Sequence, residues 1–205
     1  MPWKNGGGVT HEALRLPAGD GPFRCRVSVA RIDASGPFSD FRGYDRKMVL
    51  LQGDGIELRF GEFGRRTLTS VGEMAEFDGA IATQGILLGG PCIDLNLMVA
   101  KPDPAEARVE RVVDTHVRAG AEQMLLVFPI DRRVSLDLDG AEGAVLEPWD
   151  LAVLTRGGAR LRAREPAGAA AESGGVDAAG AAVEAARGYI HPTAAVFLAT
   201  LNLMS

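Results

Sequence analysis

Short segments in which apolar and polar residues alternate at every second position, separated by Gly, Pro and Asp, run through most of this chain. They restrict it to an all-β sandwich or barrel. From Arg24 to Arg31 the period is two: Arg24, Arg26 and Ser28 take one face, while Cys25, Val27, Val29 and Arg31 take the other. Lys47–Gln52 and Ile56–Phe60 flank Gly53-Asp54-Gly55, whose Asp-Gly pair suits a hairpin turn. Ile93, Leu95, Leu97 and Val99 form a wholly apolar face against the mixed face of Asp94, Asn96 and Met98. Gln123–Pro129 is an apolar run suited to a strand buried on both sides. Val134, Leu136 and Leu138 alternate again, and Leu151–Leu154, Ala159–Ala163 and Ala195–Leu203 complete the expected strands.

The two halves repeat. Ile56, Leu58 and Phe60 correspond to Val134, Leu136 and Leu138, an offset of 78 residues, and Gly72-Glu73 before Met74 corresponds to Trp149-Asp150 before Leu151, an offset of 77. Near-equal offsets at separate landmarks predict a duplicated β unit: a first half over 1–102 and a second over 122–205. Residues 103–121, charged and partly helical in composition, are expected to link them. Residues 167–187, almost wholly Ala, Gly, Glu and Asp, are expected to form an exposed insertion, with a short helix over 177–187.

At 205 residues, 46% hydrophobic and 24% charged, the chain has the balance of a globular protein rather than a disordered one. A net charge of −5 supplies no general attraction to nucleic acid or to anionic membrane, so any anion must be caught by locally placed arginine or lysine. Cys25 and Cys92 lack CxxC spacing and make neither a disulfide framework nor a zinc site. The amino terminus lacks the apolar core of a secretory signal, and no apolar run is long enough to span a bilayer. The expected location is the cytoplasm.

A metal site in a barrel of this kind needs imidazoles two residues apart on one strand, with a carboxylate and a third imidazole nearby. His11, His116 and His191 are isolated from one another, so no metal cofactor is expected. There is no GxSxG nucleophile elbow, and Gly6-Gly7-Gly8 lacks the frame of a phosphate loop and reads as a turn. The residues that invite a functional reading are polar groups on faces expected to be buried: Arg31 in phase with Cys25, Val27 and Val29; Arg46 at the start of an apolar strand; and Asp94, Asn96 and Met98. A buried guanidinium is costly unless a carboxylate meets it. Asp94, Glu12 or a ligand could each supply that carboxylate, and the sequence leaves the choice open.

Three blocks carry a resemblance to a known family. Pro2-Trp3-Lys4-Asn5-Gly6-Gly7-Gly8-Val9-Thr10-His11-Glu12 resembles the WxNGxGxTRE signature of HutD/Ves proteins. Gly36-Pro37-Phe38-Ser39-Asp40-Phe41, with Gly43-Tyr44-Asp45-Arg46 through Gly53, is similar to the central block of that family. Gly90-Pro91 through Asp94-Leu95-Asn96-Leu97-Met98 is similar to its DxNxM strand. The resemblance implies a bicupin, two fused cupin-like barrels of the RmlC type. It also implies a role in histidine utilisation, in which a pathway intermediate such as urocanate or formylglutamate is bound and flux is limited without catalysis. This chain has His11 and Cys25 where the family carries Arg and Trp, and Lys101 where an Arg often stands.

The resulting expectation is a metal-free protein that binds a small carboxylate. Trp3 would supply an aromatic wall, Asn5 and Asn96 amide hydrogen bonds, and Arg31 and Arg46 carboxylate recognition, with Met98 lining the pocket. A second reading is a metal-free isomerase or lyase with Glu12 or Asp94 as general base. In a third, the amino-terminal arm mediates a homodimer and Trp3 belongs to the interface.

Overall fold

Alternation becomes strands along nearly the whole chain. The computed structural model describes residues 1–3, 6–103, 105–139, 143–164 and 193–202. Asn5, His191 and the Ala/Gly-rich segment at 167–187 lie outside the described residues. The first half supplies β1 (Gly8–Leu16), β2 (Cys25–Ile32), β3 (Gly36–Pro37), β4 (Tyr44–Gln52), β5 (Ile56–Arg59), β6 (Arg65–Leu68), β7 (Met74–Asp78), β8 (Gln84–Leu87) and β9 (Cys92–Ala100). The second supplies β10 (Ala105–Val112), β11 (Asp114–Ala119), β12 (Gln123–Pro129), β13 (Val134–Leu138), β14 (Ala144–Leu146), β15 (Ala152–Leu154), β16 (Gly157–Ala163) and β17 (Ala194–Asn202). Among the described residues the helical content is a single 3-10 turn, Gly61–Phe63.

The strands form four antiparallel sheets. The first half contains β1-β2-β9-β4-β7 and β3-β8-β5-β6; the second contains β10-β17-β12-β15 and β11-β16-β13-β14. Apart from the extra edge strand β1, each strand of the first half has its counterpart eight strands later, in the same position of the corresponding sheet. The internal repeat read from residue offsets is therefore a repeat of topology.

One expectation fails here. Residues 103–121 are not a linker but the strands β10 and β11. β10 pairs along its full length with β17, from Ala105 opposite Leu201 to Val112 opposite Ala194. Its charges conceal a period of two: Ala105, Ala107 and Val109 pack on the core between the halves, while the intervening Glu106 and Arg108 are exposed. β11 repeats the pattern, with Val117 and Ala119 buried and His116 and Arg118 exposed. Edge strands carry charge on one face because only the other is covered.

Three apolar clusters fill the fold. One lies within the first barrel, where Met48 and Leu50 of β4 meet Ile56 and Leu58 of β5 and Leu68 of β6. Another fills the second barrel, joining Leu125 and Val127 to Leu136, Leu161, Val196 and Leu198. The third joins the halves: Val27, Val49, Leu95 and Leu97 on the outer face of one sheet pack against Leu126, Phe128, Phe197 and Leu201 on the outer face of another. β2, β4 and β9 are thus buried on both faces, one toward their own barrel and one toward the other half.

Candidate functional site

The mixed faces of β2, β9 and β4 line the interior of the first barrel, and their register sets the site. Met98 lies between Arg26 and Arg46, Asn96 between Ser28 and Met48, and Asp94 between Ala30 and Leu50. Neighbouring strands lie roughly 4.8 Å apart, so the two arginines leave the sheet from positions about 10 Å apart and lean over one row. Below Asp94 the lumen closes on the apolar cluster; above it opens into a cavity of about 510 Å³.

The remaining walls are aromatic. The amino-terminal arm folds back along β1: Trp3 N–H donates to the Gly8 carbonyl at 2.8 Å, and Trp3 Nε1–H donates to Thr10 Oγ1 at 2.8 Å. This places Trp3 edge-on to Phe38, with ring centres 6.1 Å apart. Two glycines make the approach feasible. A Cβ at Gly8 would stand 2.3 Å from the Arg31 carbonyl oxygen and 3.2 Å from the Trp3 ring, and one at Gly85 would stand 2.7 Å from the Phe38 ring. Phe38 and Phe41, from the loop after β3, complete the wall.

Arg46 is the centre of the arrangement. Only 5% exposed, its guanidinium lies within 5.0–5.4 Å of the ring centres of Phe38, Phe41 and Phe77, a favourable cation–π setting. Its Nη2–H donates to Asn96 Oδ1 at 2.8 Å, and Asn96 Nδ2–H donates to Asp94 Oδ1. Asp94 is therefore reached from Arg46 through an amide. The two ends of this chain, Arg46 Nε and Asp94 Oδ2, are buried without hydrogen-bond partners. Burial pushes the Asp94 carboxyl up to about 7 although Arg46 pulls it down. Burial also lowers Arg46 to about 10, with Asp94 acting against the shift and Arg26 adding to it. Arg26 is 8% exposed and differs in kind: its Nε–H donates to Glu12 Oε2 at 2.7 Å, so it enters the cavity already paired.

Trp3, Arg46, Asn96 and Met98, four of the residues singled out from sequence, line the cavity together. Asn5 lies outside the described residues. Arg31 is placed elsewhere: its side chain is 60% exposed and its Nε lies 2.6 Å from Asp33 Oδ1. Arg31 is in phase with Cys25, Val27 and Val29, and that apolar face of β2 is turned to the other half rather than to the barrel interior, so Arg31 follows it out to the rim. Arg26, on the opposite face, occupies the cavity instead. The signal for it was present, since Asp94 and Asn96 share a mixed face on the strand that pairs with β2. Phe38, Phe41 and Ser28 were also missed as lining residues.

The departures at His11, Cys25 and Lys101 do not touch the cavity. His11 pairs with Val29 on the outward phase of β1, Cys25 belongs to the core between the halves, and Lys101 meets Asp45 and Asp78. Among the described residues no three His, Cys, Asp or Glu side chains gather as a metal-binding group. Against the donor set of a metal-binding barrel, one carboxylate beside two guanidiniums does not fit a divalent cation.

The HutD family profile matches residues 1–171. An uncharacterized 21.2 kDa protein in the hutC 3′ region of Pseudomonas putida is 38% identical over 152 residues, covering 73% of this chain and 78% of that protein. Protein Ves of Escherichia fergusonii is 31% identical over 96 residues, covering 47% of this chain and half of that protein. A conserved protein of unknown function from Pseudomonas aeruginosa PAO1 superposes with a TM-score of 0.77 at 28% identity, over 98% of this chain and 93% of that one. The structure of HutD from Pseudomonas fluorescens SBW25 (formate condition) superposes with a TM-score of 0.59 at 31% identity, over 80% and 94%. A cupin 2 conserved barrel domain protein from Leptotrichia buccalis, 13% identical with a TM-score of 0.55 over 95% and 88%, shares the fold. The architecture is a bicupin.

Proposed function

Because the chain belongs to the HutD family, we propose that its first barrel binds a small carboxylate metabolite without a metal cofactor, acting in the cytoplasm as a regulator of histidine utilisation. The observation that carries this reading is Arg46: a buried guanidinium with an unpartnered Nε, walled by aromatic rings and facing a cavity of metabolite size. A ligand carboxylate would supply the counter-charge that Asp94 gives only through Asn96. The names of its relatives in Pseudomonas support the link to the pathway. Urocanate and formylglutamate, the intermediates suggested by the resemblance, are the first ligands to try.

Calorimetric titration and thermal melting with urocanate, formylglutamate and histidine test the reading. A ligand at a hundredfold its Kd should add about 2.7 kcal/mol of stability. The absence of both heat and a melting shift with all three ligands would sink it.

A second reading has its own observation. Asp94, with a carboxyl pushed up to about 7, is poised as a general base or acid, whereas Glu12 is engaged by Arg26 and Arg15. A metal-free isomerase or lyase would turn over a bound acid and lose turnover in Asp94→Asn. Binding without turnover discards it.

A further inference from the structure

The Arg46–Asn96–Asp94 chain has a charge at each end, an amide between them and an unsatisfied polar atom at either end. Asn96 is fixed by both contacts: its oxygen faces the guanidinium and its NH2 faces the carboxylate. Asp94 is thus the internal counter-ion of Arg46, held one amide away from it. An anion brought to the Arg46 side of the cavity places a second negative charge on the same cation, in a lumen where water screens little.

We propose that Asp94 competes with the ligand carboxylate for Arg46, so that anion binding is accompanied by uptake of one proton at Asp94. Asp94 is then the residue that sets the pocket's charge selectivity. This rests on the carboxylate-binding reading above and extends it.

Among the described residues few charged groups face Asp94. β4 presents Arg46 and β2 presents Arg26, itself held by Glu12 from β1; on β9 itself the titratable neighbour is Cys92, and the Met1 ammonium stands at the cavity rim. The opposing sheet contributes the apolar Ile56, Leu58 and Leu68. Among the described residues Asp94 is the carboxylate in the cavity lining, and its unpartnered Oδ2 can carry the incoming proton and turn from acceptor to donor toward the bound anion. The raised titration of Asp94, about 7, puts the exchange near neutrality.

The test is isothermal titration of the intact protein at pH 6 and pH 8, each in two buffers of different ionisation enthalpy. Formylglutamate and acetate are the probes, since their carboxyls stay ionised throughout, whereas the urocanate imidazole would titrate in the same range. The expected result is uptake of close to one proton at pH 8 and a fraction of that at pH 6. Affinity should fall toward tenfold per pH unit above the Asp94 transition. In Asp94→Asn, binding should lose both the proton uptake and the pH dependence. The buffer dependence of the wild-type heats decides the matter even if that variant does not fold. Binding with no proton uptake at pH 8 overturns the proposal and leaves the binding reading intact; no binding of either anion at pH 6 overturns the proposal, and if urocanate and histidine also fail to bind the binding reading falls with it.

Discussion

At the residue scale, the site depends on how one guanidinium is compensated. Arg46 holds its charge with three rings and one amide, so Arg46→Met should remove the anion-binding group while keeping much of the packing. Carboxylate affinity should fall roughly ten- to a hundredfold, the value of a charge-assisted hydrogen bond. Arg46→Lys keeps the charge but not the planar fork, and calorimetry should place it between the two. Asp94 gives a stability prediction that needs no ligand. Its folded value, about 7, is raised above the ordinary 3.8, so its contribution is complete below the unfolded value and is lost as pH rises through the folded one. Urea unfolding at pH 5 and pH 8 should therefore show a loss of stability in the wild type that is smaller in Asp94→Asn. Trp3 separates pocket from interface: Trp3→Ala should weaken ligand binding and leave the mass by light scattering unchanged, since its indole is bonded to Thr10 and packed on Phe38. A changed mass would assign Trp3 to a contact between copies.

At the element scale, the shared topology puts each cavity residue opposite a counterpart in the second barrel. The ladder of β17 with β10 and β12 repeats that of β9 with β2 and β4, so Leu125 stands where Arg46 does, Val196 where Asp94 does and Leu198 where Asn96 does. All three are buried in the second barrel's own cluster, and that lumen is filled with hydrocarbon where the first is polar. Binding should thus saturate at one ligand per chain. Leu198→Ala should destabilise by about 2–5 kcal/mol without changing affinity, whereas Asn96→Ala should weaken binding; paired melting and titration of the two variants checks the contrast. Much of this was legible beforehand, because period-two alternation marked β2, β5, β9 and β13 and the residue offsets disclosed the repeat. The strands that escaped have irregular or masked alternation for physical reasons. β1 is an edge strand with an irregular register between Glu12 and Leu14, and β10 buries only one side, so its charges read as a linker.

At the scale of the whole molecule, alternation gives the phase of a strand but not what covers each face. Cys25, Val27 and Val29 announced a buried side of β2 correctly. Nothing local distinguished a barrel interior from a surface pressed against the other half, and Arg31 was assigned to the site on that ambiguity. The physical content of the bicupin lies in this shared layer, where Phe128 and Phe197, both fully buried, meet Val27, Leu95 and Leu97. A core drawn from both halves couples their unfolding, because separating them would expose the outer faces of two sheets at once. The two tryptophans report on opposite sides of it, Trp3 at the cavity of the first half and Trp149 in the second, where its Nε1–H donates to the Ile130 carbonyl at 3.1 Å. Urea unfolding followed by fluorescence of Trp3→Phe and Trp149→Phe should therefore give coincident midpoints. Phe197→Ala should lower stability by about 3–5 kcal/mol and move both reporters together. If the Trp149 signal shifted while the Trp3 signal stayed in place, the halves would be independent units and the layer between them a contact rather than a common core.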